Sequence, residues 1–140
     1  MKILIPVDGS EYTKRMLSYI GAHDELLGPA NEYVVLTVVP AVPARAARFL
    51  ERTAIDDFYK DEGEQVLKPV KAFIDQHRWP ARLLVEHGHA GDVIAAVAAA
   101  EKVDLIVMGT HGHTAVGNVV LGSVTTGVIA RCKTPVLLIP

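Results

Sequence analysis

Short apolar runs alternate with amphipathic segments along the chain, and this alternation predicts its secondary structure. Runs typical of buried strands occupy residues 2–7, 33–39, 81–86, 103–107 and 136–139. Apolar positions at helical spacing predict helices over about 10–28, 55–77, 92–102 and 124–132. Strands that alternate with helices in this way predict an α/β fold, a doubly wound parallel sheet with helices on both faces.

Three segments add detail to this pattern. The run at 81–86 alternates apolar with charged residues, so one face is less covered, as on an edge strand. Residues 40–53 are irregular apart from a helical turn within 44–49. Pro69 falls inside a helical pattern and predicts a kink or a break just upstream, because proline removes a backbone donor and clashes with the preceding turn.

A long loop with repeated glycines joins the strand at 103–107 to the helix at 124–132. Gly109, Gly112, Gly117 and Gly122 punctuate it, whereas such loops usually take roughly 2–6 residues. Glycine lets a backbone approach a ligand closely, and free N–H groups at a helix start attract phosphate. This pattern predicts an anion site, and the alternative is that Ser123 only caps the helix.

Asp8 follows the first predicted strand, at the sheet edge where ligands bind in open α/β folds. The alternative is that Asp8 opens the turn by accepting hydrogen bonds from local N–H groups. The pairs His87/His89 and His111/His113 suggest a metal site, and the alternative for His87 and His89 is that they are polar residues at an exposed strand end.

Three ordered motifs resemble a known family. They are Gly109-x2-Gly112-x9-Gly122-Ser123, the start at 3–10 and the end at 132–140. Together they are similar to the ATP-binding branch of the universal stress protein family, which has an adenine nucleotide alpha-hydrolase-like fold. The resemblance covers the chain end to end. It implies one domain over 1–140, the strand order 3-2-1-4-5 and a homodimer that pairs through Val136 to Ile139. In that order two strands separate the two histidine pairs, about 14 Å, so we expect no shared metal site and take His87 and His89 as polar residues at an exposed strand end.

The resemblance also implies a site for ATP, ADP or AMP. The backbone of Val38 would pair with adenine, Asp8 and Gly109 would hold the ribose, and His111 would lie beside the phosphates. The backbone N–H groups of Gly112, Gly122, Ser123 and Val124 would hold the phosphates with help from the Ser123 hydroxyl, and Mg²⁺ would be carried by the phosphates. The complete set of implied residues is Pro6, Val7, Asp8, Val38, Met108, Gly109, His111, Gly112, Gly122, Ser123 and Val124.

The predicted function is nucleotide binding in a stress-response or signalling role, with at most slow hydrolysis. The sequence has no P-loop, no Gly-x-Gly-x-x-Gly after the first strand and no obvious pair of nucleophile and base. Two alternatives remain open: a slow ATPase that uses Asp8 or His111, and a dimeric interaction module with a vestigial site. Asn118-Val119-Val120 stands where members of the family often carry basic residues, which predicts weaker triphosphate binding or more dependence on magnesium.

Composition narrows the remaining possibilities. The chain has 140 residues, half of them hydrophobic, and a formal net charge of −2. No apolar run reaches the roughly 18 residues of a membrane span, and no leader pattern precedes the first strand, so we expect no membrane partner. A single cysteine, Cys132, suits a reducing cytoplasm. The absence of a basic cluster argues against nucleic acid as a partner.

Overall fold

The computed structural model describes residues 1–113, 117–118 and 120–140. The strands are β1 (Lys2–Pro6), β2 (Glu32–Val39), β3 (Ala81–His87), β4 (Leu105–Gly109) and β5 (Val136–Ile139). The helices are α1 (Glu11–Ala22), α2 (Asp24–Leu27), α3 (Ala44–Ala47), α4 (Arg52–His77), α5 (Ala90–Glu101) and α6 (Ser123–Arg131). The predicted loop residues 114–116 and 119 lie outside the described part of the chain.

The strands form a parallel sheet in the order β3-β2-β1-β4-β5, which confirms the predicted fold class and strand order. One face packs on α1 and α4 through residues such as Ile20 and Val70. The other face packs on α5 and α6 through residues such as Ile94 and Val128. Because both faces are covered, β1, β2 and β4 are buried on both sides, as their continuous apolar runs require.

The helix predicted over 10–28 is divided at His23, which corrects that prediction. His23 Nδ1 lies 2.7 Å from the carbonyl oxygen of Tyr19, the acceptor that the His23 N–H would need in a continued α-helix. The His23 N–H instead donates to Ile20 at 3.1 Å. The side chain therefore competes with the backbone, and the chain restarts as α2 at Asp24.

Of the kink or break predicted just upstream of Pro69, the break is wrong, because α4 is a single helix from Arg52 to His77. Pro69 lies on the exposed face of α4, so water can satisfy the carbonyl oxygen that loses its helical donor. The helical turn expected within 44–49 is present as α3.

An aromatic cluster closes the core near the amino ends of β2 and β3. Trp79 is buried and stacks on Tyr33 with ring centroids 4.8 Å apart. Phe73 meets Trp79 edge to face at 5.3 Å. The Tyr33 hydroxyl donates to the carbonyl oxygens of Leu27 and Gly28, so the cluster also ties the end of α2 to the sheet.

Candidate functional site

A cavity of about 400 Å³ opens at the carboxyl ends of β1, β2 and β4. The chain order reverses between β1 and β4, and open α/β sheets bind ligands at such a switch point. The structure brings every site residue expected from the sequence to the lining of this cavity. They are Pro6, Val7, Asp8, Val38, Met108, Gly109, His111, Gly112, Gly122, Ser123 and Val124.

Asp8 is held in place by the turn that follows β1. Its Oδ1 accepts hydrogen bonds from the Ser10 N–H at 2.9 Å and the Thr13 hydroxyl at 3.0 Å. Burial alone would raise the pKa of the Asp8 carboxyl, but hydrogen bonds from Ser10 and Thr13 and attraction to His113 outweigh burial and lower the pKa. Asp8 therefore stays ionised at neutral pH and opens the turn, while its Oδ2 faces the glycine loop.

The glycine loop packs directly on Asp8. The His113 N–H lies 3.3 Å from Oδ2, and His113 Nε2 donates to the Asp8 carbonyl oxygen at 2.6 Å. A Cβ atom on Gly112 would come within 2.4 Å of Oδ2, so only glycine permits this approach. His113 and Thr13 line the cavity but were not among the expected residues, because their contacts with Asp8 depend on the fold of the turn and loop.

The amino end of α6 opens into the cavity. Gly122 occupies the cap position and Ser123 is the first helical residue, with no side-chain capping bond, so the interpretation of Ser123 as a cap is wrong. The Gly122 N–H donates to Thr110 at 2.7 Å, and the Thr126 N–H makes the first helical bond, to Gly122, at 3.0 Å. The N–H groups of 123–125 therefore lack partners within the helix and are available to an anion.

Thr125 anchors this helix end to the sheet. It is 2% exposed, and its hydroxyl donates to the carbonyl oxygens of Gly109 and Thr110 at 3.1 and 3.3 Å. A Cβ atom on Gly122 would lie 3.2 Å from the His111 Cα, a tight backbone contact. The end of β4, residues 110–111 and the start of α6 thus pack against one another.

The backbone of Val38 extends past the end of β1. The Val7 N–H donates to the Leu36 carbonyl oxygen at 2.8 Å, so the backbone groups of Leu36 point toward β1. Alternate residues of a strand direct these groups to the same side. Because β1 ends at Pro6, opposite Leu36, the N–H and C=O of Val38 point into the cavity.

The histidines do not form a shared cluster. His87 stacks on Tyr59 at 4.1 Å, and His89 contacts Asp92 at 3.3 Å. His111 lies 5.1 Å from the Tyr12 ring and 2.9 Å from the Thr110 hydroxyl. Among the described residues, no group of three or more His, Cys, Asp or Glu side chains could hold a metal ion.

Comparison with known proteins identifies related chains. The model of the universal stress protein family matches residues 1–140. A universal stress protein of Thermus aquaticus is 34% identical, over 98% of this chain and 96% of the relative. Universal stress protein MJ0531 of Methanocaldococcus jannaschii is 33% identical, over 99% of this chain and 81% of the relative.

Solved structures show the same fold. Protein MJ0577 of M. jannaschii matches with a TM-score of 0.82 and 28% identity, over 99% of this chain and 94% of that one. More distant structures carry adenine nucleotides. An Arabidopsis thaliana protein with AMP has a TM-score of 0.70 at 16% identity, and the match covers 99% of this chain and 90% of the Arabidopsis chain. An Archaeoglobus fulgidus protein with dAMP has a TM-score of 0.68 at 22% identity, and the match covers 100% of this chain and 98% of the Archaeoglobus chain. A further universal stress protein contains cAMP.

Within the described part of the chain, no helix combines the length and apolar character that a membrane crossing requires.

Proposed function

The chain belongs to the universal stress protein family, and from that premise we propose that its cavity binds an adenine nucleotide, ATP, ADP or AMP, in a stress-response or signalling role. The observation that carries the proposal is the convergence of Asp8, the glycine loop, the start of α6 and the backbone of Val38 on one cavity. Family structures with AMP, dAMP and cAMP support the choice of base.

The adenine lies in the apolar part of the cavity. The outward N–H and C=O of Val38 match the acceptor and donor on the edge of adenine, as expected of a backbone that reads a base. Pro6, Val7 and Met108 pack around the ring. Val7 and Met108 are buried, each 5% exposed, while Pro6 is partly exposed.

The ribose and phosphates occupy the polar end. Asp8 accepts hydrogen bonds from the ribose hydroxyls through Oδ2, next to the backbone of Gly109. The N–H groups of Ser123 and Val124, the Ser123 hydroxyl and the backbone of Gly112 hold phosphate, with His111 beside it. The Gly122 N–H was expected to join them, but it already donates to the Thr110 carbonyl oxygen at 2.7 Å. These residues offer few ligands for Mg²⁺, which would reach the site on the phosphates of a polyphosphate.

We propose binding rather than rapid turnover. One oxygen of Asp8 already accepts hydrogen bonds from Ser10 and Thr13, and the other faces His113. This carboxylate therefore holds the turn and the loop in place rather than activating water. Hydrolysis of ATP is therefore slow. Turnover at about 1 per second or faster, in the range of ordinary enzymes, would contradict this proposal.

The first experiment is to denature freshly purified protein and identify the nucleotide released. A valine at Gly122 would collide with the backbone of His111 and Thr110, so Gly122→Val should abolish binding. Val120→Ala is the matched control, because Val120 is 84% exposed in the same loop. Stoichiometric nucleotide from the wild type and the control but none from Gly122→Val would support the proposal.

The opposite result is equally clear. If nothing is released and added ATP, AMP or cAMP does not shift the melting temperature of the wild type, the site is vestigial. The chain would then act as an interaction module.

A homodimer through β5 is the second part of the proposal. β5 lies at the edge of the sheet, and its residues Val136, Leu137 and Leu138 are only partly buried. An apolar edge strand invites pairing with another strand. Sedimentation at micromolar concentration should give a dimer, and a monomer would count against it.

A further inference from the structure

The phosphate end of the cavity is poor in fixed positive charge. Among the described residues that line it there is no lysine or arginine, and residues 109–123 contain none in the sequence. His111 and His113 line the cavity, but histidine carries a charge only when protonated. Two carboxylates, Asp8 and Glu62, also belong to the lining.

The basic residues of α1 and α6 are engaged elsewhere. Lys14 of α1 pairs with Glu11 at 3.0 Å, and the guanidinium of Arg15 lies over the Tyr12 ring at 5.3 Å. Arg131, at the far end of α6, pairs with Asp92. None of these cations is among the residues lining the cavity.

Among the described residues, the donors left for phosphate are about enough for one phosphate group. They are the N–H groups of 123–125, the Ser123 hydroxyl and the backbone of Gly112, while the Gly122 N–H and the Thr125 hydroxyl are used within the protein. A second and a third phosphate would extend beyond these donors, and no described residue of the lining offers them a fixed positive charge. Each would add about one negative charge to a cavity whose lining already includes Asp8 and Glu62, in a setting where water screens charges less than in bulk solution.

We infer that this site selects adenosine monophosphate over the triphosphate when no divalent cation is present, an inference that rests on the proposed nucleotide function. The selectivity arises because the described lining has no fixed positive charge to balance the additional phosphates. Mg²⁺ bound to the phosphates supplies part of that charge, so it reduces the difference between AMP and ATP affinity. The glycine signature of this chain thus holds one phosphate tightly and leaves the negative charge of the other phosphates largely unbalanced.

The test is calorimetric titration of the wild-type protein, freed of bound nucleotide, with AMP, ADP and ATP. In a chelator, AMP should bind at least tenfold more tightly than ATP, with ADP between them. Excess Mg²⁺ should reduce the ratio of AMP to ATP affinity severalfold. ATP binding as tightly as AMP in the chelator would overturn the inference and leave the nucleotide site intact. Failure of all three nucleotides to bind would instead overturn the proposed function.

A charge added to the loop provides an independent test. Val120 is 84% exposed and lies two positions before Gly122, so Val120→Lys adds a positive charge to the loop that would hold the phosphates, and Val120→Gln is the uncharged control. The lysine variant should tighten ATP binding at least fivefold in chelator and change AMP binding less than twofold. The glutamine variant should match the wild type. If lysine leaves ATP affinity unchanged, missing charge is not the cause of the selectivity.

Discussion

Replacing Gly112 by alanine tests how closely the glycine loop packs on Asp8. The new Cβ atom would lie 2.4 Å from Asp8 Oδ2, whereas ordinary van der Waals contact begins at 3.4 Å. The carboxylate cannot simply rotate away, because Oδ1 is held by Ser10 at 2.9 Å and Thr13 at 3.0 Å. Either the loop must move or one of these hydrogen bonds must break.

The expected cost follows from this geometry. Overpacking of a well-packed site typically costs about 1–3 kcal/mol. Gly9, Gly88 and Gly117 have a positive φ, but Gly112 does not, so alanine fits the backbone at position 112. Alanine should also add about 0.4–1 kcal/mol of stability, because it allows the unfolded chain fewer conformations than glycine does. Gly112→Ala should therefore lower the free energy of unfolding by about 1.3 kcal/mol, and by at most about 2.6 kcal/mol.

A double-mutant cycle isolates the contact. Asp8→Ala removes the carboxylate, so Gly112→Ala in that background should be neutral or slightly stabilising. Urea unfolding of the four proteins, followed by circular dichroism, gives the coupling free energy, expected at about 1–3 kcal/mol. If Gly112→Ala costs the same in both backgrounds to within about 0.5 kcal/mol, contact with Asp8 is not the reason for glycine here.

Three further predictions concern stability. Because folding lowers the pKa of Asp8, its ionised form stabilises the protein above the unfolded value of 3.8 and loses that effect as pH falls through the lower folded value. Asp8→Asn should cost about 1–3 kcal/mol at pH 7, and urea titrations should show the loss shrinking below about pH 4. Gly63→Ala would place a Cβ 2.4 Å from a Val85 methyl group, so thermal unfolding should show about 1–3 kcal/mol of destabilisation that Val85→Ala relieves. Gly127→Ala meets only ordinary contacts, at 3.4 and 3.5 Å, and should raise the free energy of unfolding by about 0.5–1 kcal/mol in the same assay; a loss would show that α5 and α6 have no room for a methyl group.

The fold could be predicted because strong periodic signals and simple topological rules agree. The continuous apolar run of β2 predicts a strand buried on both faces, and the structure places β2 inside the sheet. The order of the strands came from the family resemblance. The position of the cavity follows from that order, since the switch point brings Asp8 beside Gly109.

Other features could not be predicted because they depend on contacts between distant residues or on single hydrogen bonds. The approach of His113 to Asp8 joins residues 105 positions apart in the sequence, and no local pattern indicates it. The division at His23 depends on one side chain taking the Tyr19 carbonyl oxygen. Pro69 is tolerated because its face of α4 is exposed, a fact that requires the packed structure. Nucleotide binding by the cavity residues stays a prediction.

The aromatic cluster around Trp79 has a practical consequence for spectroscopy. Trp79 is the only tryptophan in the chain, and it stacks on Tyr33, at the amino end of β2. Val38 lies five residues further along this strand, roughly 16 Å away. Emission from the indole should therefore respond to unfolding and stay silent when a ligand enters the cavity. Trp79 fluorescence therefore follows the unfolding of the chain. It detects a ligand only indirectly, because a bound ligand raises the urea concentration at the midpoint of the unfolding transition.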